Sequence, residues 1–481
     1  MATGVNRRVS AASARAHTRN RNRNKPNRES SFPSGILRTA LAVLFIGFLA
    51  WAYQAIQPPP PKICGSPDGP PITAPRIKLR DGRYMAYKEH GVPRDAAKYK
   101  IVFVHGLDCC RHDAVVADTL SPDVVEELGV YIVSFDRPGH GESDPDPNLT
   151  VKSQALDIEE LADKLGLGSK FYIIGYSLGG QIVWGCLKYI PHRLASAALL
   201  NPAVNYWWSG LPANLTNEAF YQLKLQDQWV FRVAHYAPWL TYWWNTQQWF
   251  PSSSLTAKST DVYSRQDMEL LSKRSYRESF VVRQQGEYET VHSGLNFAFG
   301  SWEFSPLDLE NPFPTNEGSV HIWQGDEDLA IAAKLQPYIA KKLPWIHYHE
   351  LQGAGHLFPY ADGMSDTIIK SLLLGKSKQD EKFGQEKEIG VIGRDTNGAF
   401  ICTLLSSFVF DDIALYSNLS KRFKEFSKIN ITSFIYRLLR LGHLTHVQGL
   451  LVALVGLHSP NNSILRIASY SATRAGHDMK L

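Results

Sequence analysis

A serine with the surroundings of an enzyme nucleophile lies in the first half of the chain. It is Ser177, in the motif Gly-Tyr-Ser-Leu-Gly at residues 175–179. The β-branched and aromatic residues before it predict a buried strand, and the apolar, proline-free residues after it predict a helix. A serine on a sharp strand-to-helix turn is exposed to a base, and the two glycines let neighbouring backbone pass closely. The pattern therefore predicts nucleophilic attack by Ser177.

Such a serine needs a histidine base and a carboxylate that orients it, and one known chain order is serine, acid, histidine. Asp326, Glu327 and Asp328 follow the predicted strand at residues 320–324, and His356 follows the last predicted strand. Glycines beside His356 permit the close approach that a base needs. The spacing predicts His356 as the base and leaves its acid open among the three.

Two backbone N–H groups are candidates for stabilising the negative charge that develops on a carbonyl oxygen. One belongs to Leu178, directly after the nucleophile, and the other to Leu107, after the predicted strand at residues 101–104. Because main-chain atoms would do this work, the side chains of Leu107 and Leu178 are expected to be replaceable. Asp108 would oppose the developing anion unless its side chain points away.

Strand and helix patterns alternate around these residues. A hairpin is predicted at residues 77–87, and uninterrupted apolar runs at 101–104 and 130–135 predict strands buried on both faces. An amphipathic helix at residues 151–165 and a strand at 195–200 complete the series. This order predicts an α/β fold with a doubly wound, mostly parallel sheet, whose reactive groups lie at the carboxyl ends of its strands.

The alternation stops between residues 203 and 310, where eight of the 12 tryptophans occur. We predict an inserted helical cap there, between a first core part at residues 77–202 and a second at residues 311–375. An aromatic core explains most of the tryptophans, while a substrate tunnel or a membrane-facing surface accounts for two or three. Residues 376–481 show no sustained period and form an unassigned C-terminal extension.

Residues 39–56 are uncharged and mostly apolar. As a helix they would rise ~27 Å, close to the ~30 Å hydrocarbon core of a bilayer. The basic tail at residues 1–38 precedes this run and a Pro-rich spacer at 57–76 follows, which predicts a signal anchor with its amino terminus in the cytosol and a lumenal or extracellular body. A signal cleaved at Ala50-Trp51-Ala52 and an organelle transit peptide are the alternatives.

The charge of the chain excludes a nucleic-acid footprint. Its net charge is +5, but nine basic residues and only one acidic residue lie in the first 38 positions, so the remainder is slightly acidic. The five cysteines have no zinc spacing and make no even disulfide framework. We therefore expect neither a nucleic-acid partner nor a metal or organic cofactor.

Five motifs, in this order, resemble the α/β-hydrolase superfamily. They are His105-Gly106, the loop at residues 136–143, the serine motif at 175–179, Gly-Asp-Glu-Asp at 325–328 and Gly355-His356. Residues 58–67, 206–208 and 234–239 further resemble plant membrane-anchored members, and the resemblance covers residues 58–375. The family places its acid three residues after the glycine, which implies Asp328. Ala330-Ile331 replaces the usual Val-Pro after that acid, a change expected to loosen the loop.

The resemblance implies a membrane-anchored serine hydrolase that cleaves an ester, thioester or similar acyl bond through an acyl-enzyme. Serine at position 177 excludes the haloalkane dehalogenases and epoxide hydrolases of this fold, which need a carboxylate nucleophile. A perhydrolase or haloperoxidase side activity, and a ligand-sensing receptor or inactive scaffold, stay open. The aromatic cap predicts an apolar acyl substrate.

Overall fold

The computed structural model describes residues 34–257, 259–273, 279–331 and 333–375. Most of the predicted basic tail and the C-terminal extension at residues 376–481 lie outside the described residues.

Eight strands form one sheet in the order β1-β2-β4-β3-β5-β6-β7-β8. The strands are β1 (Arg76–Lys78), β2 (Tyr84–Gly91), β3 (Tyr99–Val104), β4 (Val130–Phe135), β5 (Phe171–Tyr176), β6 (Leu194–Leu200), β7 (Val320–Gly325) and β8 (Ile346–Leu351). Strands β3 to β8 pair in parallel, while β2 runs antiparallel to both β1 and β4. The predicted mostly parallel sheet and its edge hairpin are confirmed.

Helices cover both faces of the sheet. Those of the core are α2 (Val115–Thr119), α3 (Pro122–Leu128), α4 (Val151–Lys164), α5 (Leu178–Tyr189), α12 (Gln336–Lys342) and α13 (Met364–Leu374). Val102 and Val104 of β3 pack with α4, α5 and α12, whereas Ile101 and Phe103 pack with α2, α3 and α13. Alternate residues of β3 thus enter two different cores, which is why its sequence is apolar throughout.

Among the described residues, no strand occurs between β6 and β7. Helices occupy this insertion: α6 (Ala213–Gln222), α7 (Leu225–Tyr236), α8 (Thr241–Thr246), α9 (Arg265–Ser272), α10 (Ser279–Val282), a π-helical turn (Tyr288–His292) and α11 (Ser293–Phe299). Its centre is aromatic, with the rings of Phe231 and Phe299 stacked at 3.8 Å. Trp208 is buried there, but Trp229, Trp239 and Trp249 are exposed.

The first described helix is α1 (Ser34–Ile56). Its segment Arg38–Ile56 is the one stretch of the described chain that is long and apolar enough to cross a membrane, and none of it is buried. The chain returns to the globular body at Lys62, whose N–H donates to the carbonyl oxygen of Gln285 at 2.8 Å. Between β7 and β8, a 3₁₀ turn at residues 333–335 precedes α12, which begins at Gln336.

Candidate active site

Ser177 lies between the end of β5 and the start of α5. Its φ of 56° and ψ of −119° belong to a region that residues with a Cβ avoid, so the turn stores strain. Two hydrogen bonds hold it against the end of β6: the Ser177 N–H donates to Leu200 at 2.8 Å, and the Ala203 N–H donates to the Ser177 carbonyl at 3.0 Å. The strained serine is therefore locked in place by its neighbouring strand.

The two motif glycines are required by close backbone contacts. A Cβ on Gly179 would overlap the carbonyl oxygen of Val104 in β3, and one on Gly175 would overlap the carbonyl of Gly179. Only glycine fits at either place without moving main-chain atoms. This agrees with the close approach expected from the motif.

His356 is paired with Asp328. The Nδ1–H of His356 donates to Oδ2 of Asp328 at 2.8 Å, which leaves Nε2 unprotonated in the neutral ring. Oδ1 of the same carboxylate accepts the N–H groups of Ala330 and Ile331, at 2.9 and 3.0 Å. The two residues that replace the family's Val-Pro thus bind the acid through their backbone.

The other two acids of this loop point elsewhere. Asp326 and Glu327 are exposed, and Asp326 accepts the N–H of Gly353 at 2.7 Å. Asp328 is the one member of the three whose carboxylate is buried against His356. Spacing along the chain made all three acids equally suitable partners for His356, and burial identifies Asp328 as the one that pairs with it.

The pKa of His356 lies above its ordinary value of 6.5. Burial is the largest influence and by itself lowers this pKa, because it disfavours the charged ring. The negative charge of Asp328, its hydrogen bond and the charge of Asp267 together outweigh burial. The site therefore stabilises an imidazolium, the form that a general base reaches after taking a proton.

Ser177 and His356 lie on segments that hydrogen bonds and ring packing join. The Tyr176 hydroxyl donates to the carbonyl oxygen of His356 at 3.2 Å, and the Tyr176 ring lies 5.2 Å from the imidazole, centroid to centroid. Within the described residues, the Ser177 hydroxyl makes no hydrogen bond to His356. Such bonds are often long in a free enzyme and shorten when substrate binds.

Asn201, directly after β6, holds the histidine loop in place. Its side-chain amide donates to the carbonyl oxygens of Gly355 and His356, at 3.2 and 2.8 Å, and its Oδ1 accepts the N–H of Gly325 at 3.0 Å. The residue has a φ of 42°. Asn201 therefore joins the ends of β6 and β7 to the histidine loop, a role that the sequence analysis missed.

Asp267 of cap helix α9 contacts the same loop. Its buried carboxylate accepts the N–H of His356 at 3.0 Å and that of Leu357 at 2.6 Å. It also forms a capping box with Ser264 at the start of α9. The Ser-x-x-Asp pattern at residues 264–267 signals a helix start in the sequence, but nothing in it indicates the contact with His356.

The candidate oxyanion donors lie beside the nucleophile. A Cβ on Gly106 would come within 3.1 Å of the Cβ of Ser177, and the side chains of Leu107 and Leu178 both approach Gly294 of α11. No hydrogen bond within the described residues occupies the N–H of Leu107 or of Leu178. Both N–H groups are therefore available to a ligand oxygen.

Asp108 is neutralised by an arginine from the cap. Nε and Nη2 of Arg283 donate to the two carboxylate oxygens of Asp108, at 2.7 and 2.8 Å. This bidentate ion pair raises the pKa of Arg283 above its ordinary value. The repulsion expected from a carboxylate beside the oxyanion site is thus countered by a fixed positive charge.

Arg137 supports the loop after β3, which contains Gly106 and Leu107. This buried side chain donates to the carbonyl oxygen of Gly106 at 2.9 Å and contacts the rings of His105 and His140. Burial lowers the pKa of Arg137 to about 10 and the pKa values of both histidines well below 6.5. Neutral, buried histidines packed on an arginine stabilise the loop.

A cavity of about 200 Å³ reaches the acid loop. Ala219, Leu223 and Phe231 of the cap line it together with Asp328. Within the described residues, no cluster of three or more His, Cys, Asp or Glu side chains is arranged to hold a metal ion.

The family model described as the alpha/beta hydrolase family matches residues 101–367. A Bacillus subtilis (strain 168) protein, provisionally named a 2-succinyl-6-hydroxy-2,4-cyclohexadiene-1-carboxylate synthase, is 28% identical over 126 residues, which are 26% of this chain and 42% of that protein. The match thus spans less than half of that curated relative.

Two solved structures are among those to which the chain is similar. A carboxylesterase of Nitrososphaera gargenis is 16% identical, with a TM-score of 0.41 over 63% of this chain and 98% of its own. A thermophilic esterase from Thermogutta terrifontis is 16% identical, with a TM-score of 0.39 over 66% of this chain and 99% of its own. Because the family model spans more than half of the chain and includes the turn at Ser177 and the His356–Asp328 pair, the chain belongs to the alpha/beta hydrolase family.

Proposed function

We propose that the protein is a serine hydrolase that cleaves an ester-type acyl bond through an acyl-enzyme. The observation that carries this proposal is the strained turn at Ser177 on the same rim of the sheet as the buried His356–Asp328 pair. Strain at a polar residue is retained where surrounding structure over-determines it, and such positions cluster at active sites. A serine that served packing alone would not need this conformation.

In the first half of the reaction, the Ser177 oxygen attacks the acyl carbon while its proton moves to Nε2 of His356. The imidazolium is stabilised by Asp328, which accepts from Nδ1 at 2.8 Å. The N–H groups of Leu107 and Leu178 bind the oxyanion, each worth about 3 kcal/mol of the barrier. Collapse of the intermediate expels the alcohol, which takes the proton from His356 and leaves Ser177 acylated.

In the second half, water takes the place of the alcohol. His356 accepts its proton, the hydroxide oxygen adds to the acyl carbon, and the acid leaves as Ser177 recovers its proton. The ion pair of Asp108 with Arg283 keeps the oxyanion site from facing an unbalanced negative charge in both halves.

We also propose that residues 39–56, within the apolar segment Arg38–Ile56, anchor the enzyme in a membrane, with the catalytic body on the lumenal or outer side. The aromatic interior of the cap and the small cavity beside Asp328 support an apolar acyl group as substrate. The substrate is a small molecule that needs no nucleic-acid surface.

A non-catalytic receptor or scaffold is the second candidate. The observation that favours it is the missing hydrogen bond between the Ser177 hydroxyl and His356 in the described chain. Such a protein would keep the fold and the pocket but would not activate the serine.

A fluorophosphonate probe distinguishes a serine hydrolase from a non-catalytic receptor or scaffold. We expect it to label the full chain covalently and to leave Ser177→Ala unlabelled, since the probe needs an activated serine. Ser169→Ala, which changes an exposed serine, is the matched control and should label like the wild type. If the folded wild type resists the probe, the receptor or scaffold is the better description.

A further inference from the structure

We propose that the outer face of helix α7 docks on the surface of a lipid bilayer, and that the active site takes its acyl substrate from that bilayer. That the substrate comes from the bilayer rests on the proposed function, whereas the docking of α7 does not depend on it.

Helix α7 carries apolar side chains on two opposite faces. Val230, Phe231 and Ala234 face inward and are buried. Leu225, Trp229, Arg232 and Tyr236 follow one another at the spacing of a single helix face. Leu225 is 58% exposed, Trp229 48% and Tyr236 65%. A helix with apolar residues on its solvent side marks an interaction surface.

Neighbouring aromatic residues extend this stripe. The rings of Trp229 and Trp244 lie 6.0 Å apart, those of Trp244 and Phe250 5.3 Å, and those of Trp243 and Trp249 5.9 Å. Trp243 and Trp244 also touch each other, at 6.4 Å. Trp249, at the edge, is 74% exposed. We call Leu225, Trp229, Tyr236, Trp249 and Phe250 the aromatic face.

The composition of the aromatic face fits the boundary between lipid headgroups and acyl chains. Tryptophan and tyrosine concentrate at that boundary because their rings are apolar and their N–H or O–H groups need water. Arg232 lies in the middle of the face, over the rings of Trp229 and Phe220, and has no carboxylate partner among the described residues. An arginine in that position suits the phosphates of lipid headgroups.

The length of the spacer brings a bilayer within reach. Helix α1 ends at Ile56, and the chain is bound to the body again at Lys62, by the hydrogen bond to Gln285 in the insertion. Six residues in a polyproline conformation span about 19 Å. A bilayer crossed by α1 would thus lie within about that distance of Gln285. The tether therefore attaches at Gln285 of the insertion that carries the aromatic face, which keeps that insertion within reach of the bilayer.

Docking would also bring the cavity beside Asp328 to the lipid. Phe231, on the inner face of α7, lines that cavity, so one helix separates it from the aromatic face. An acyl chain leaving the bilayer would have a short path to the acid loop. This geometry assigns lipid-borne acyl esters as the substrate class.

Photo-crosslinking tests docking without relying on activity. The full chain, with benzoylphenylalanine in place of Leu225 or Trp229, is reconstituted in vesicles of phosphatidylcholine and phosphatidylserine and irradiated. Leu374, 54% exposed at the end of core helix α13, is the matched control position. We expect lipid adducts at both cap positions, at least about tenfold above the control, since burial of one such side chain favours the bound state by more than that factor. Equal adducts at all three positions, or a cross-link to a second copy of the chain, would overturn the docking.

A kinetic comparison tests the substrate half. The triple variant Leu225→Ser, Trp229→Ser, Trp249→Ser should keep wild-type turnover of soluble p-nitrophenyl acetate, because none of these side chains contacts the catalytic groups. It should lose at least about tenfold in turnover of p-nitrophenyl palmitate held in vesicles. Equal loss on both esters, or on neither, contradicts the substrate assignment. A wild type that turns over neither ester and resists the fluorophosphonate probe refutes the proposed hydrolase and leaves the cross-linking result to decide the docking. A wild type that the probe labels but that turns over neither ester contradicts the substrate assignment.

Discussion

Asp328 and Asp326 are two positions apart and have the same carboxyl group, yet only one of them contacts the histidine. Asp328 accepts the Nδ1–H of His356, whereas Asp326 is exposed and accepts a backbone N–H from Gly353. The difference arises at the scale of single residues, from the direction in which each side chain leaves the loop. It makes the two a matched pair for testing the acid.

We expect Asp328→Asn to lower kcat by about 10⁴, because an amide at that place favours the wrong histidine tautomer and does not stabilise the imidazolium. Asp326→Asn should stay close to the wild type. Steady-state kinetics on a soluble ester measures both. The acid assignment fails if the two variants lose activity to a similar extent.

The pair of Asp108 and Arg283 supports a second prediction at this scale. Arg283→Gln removes the positive charge that pairs with the Asp108 carboxylate near the Leu107 N–H, and we expect kcat/KM to fall about tenfold. The double variant Arg283→Gln with Asp108→Asn removes both charges and should recover most of the activity. Arg265→Gln, which removes an exposed arginine, is the control. Absence of rescue would mean that Arg283 acts by holding the cap rather than by its charge.

At the scale of elements, helix α9 and the loop after β8 form one unit. The Asp267 carboxylate binds two N–H groups of that loop, and its charge contributes to the raised pKa of His356. The cap therefore supports His356, the proposed base, through the contacts of Asp267. A change in α9 should be visible in the protonation of His356.

The pH profile provides the measurement. Because the imidazole must be neutral to act as a base, kcat/KM of the wild type should rise with pH through a midpoint above 6.5. Asp267→Asn removes a charge that raises this pKa, so the midpoint should move to lower pH. Glu269→Gln, an exposed change on the same helix, should leave it unmoved. A variant with lower stability but an unshifted midpoint would reduce Asp267 to a structural role.

At the scale of the whole molecule, buried neutral histidines make stability depend on pH. Burial lowers the pKa of His321 to about 3 and that of His90 to about 4. Above pH 6.5, the pKa of histidine in the unfolded chain, both states are neutral and the folded protein keeps its full stability. As the pH falls toward the lower pKa of the folded state, the unfolded chain binds the proton first, and stability is lost. Burial raises the pKa of Asp157 to about 6, so the folded chain binds this proton first and its contribution to stability grows as the pH falls.

A single substitution isolates one of these contributions. Between pH 6.5 and pH 5 the wild type should lose up to about 2 kcal/mol of unfolding free energy through His321 alone. His321→Gln cannot titrate, so its stability should decline less over the same range. Denaturant unfolding of the full chain in detergent, followed by tryptophan fluorescence, measures the difference. Parallel curves for the two proteins would show that His321 binds its proton at the same pH in the folded and the unfolded chain.

Much of the fold could be predicted because its signals are local. The apolar runs of β3 and β4, the hairpin before them and the turn around Ser177 depend on residues adjacent in the chain. The start of α12 is harder to predict, because a 3₁₀ turn at residues 333–335 precedes it, as is frequent at the ends of α-helices. The contacts of Asn201, Asp267 and Arg283 had no local signal at all, because their partners lie far away in sequence, 89 residues in the case of Asp267 and His356.

The sequence by itself determined the order of the strands and helices, the glycines that the Ser177 turn needs, and the residue types that a hydrolase requires. These follow from periodicity and from steric limits on single residues, which act over a few positions. Only the tertiary structure decided which acid meets His356, what balances Asp108 and which tryptophans face solvent. Those outcomes depend on burial and charge, and both are properties of the folded surroundings that no stretch of sequence carries alone.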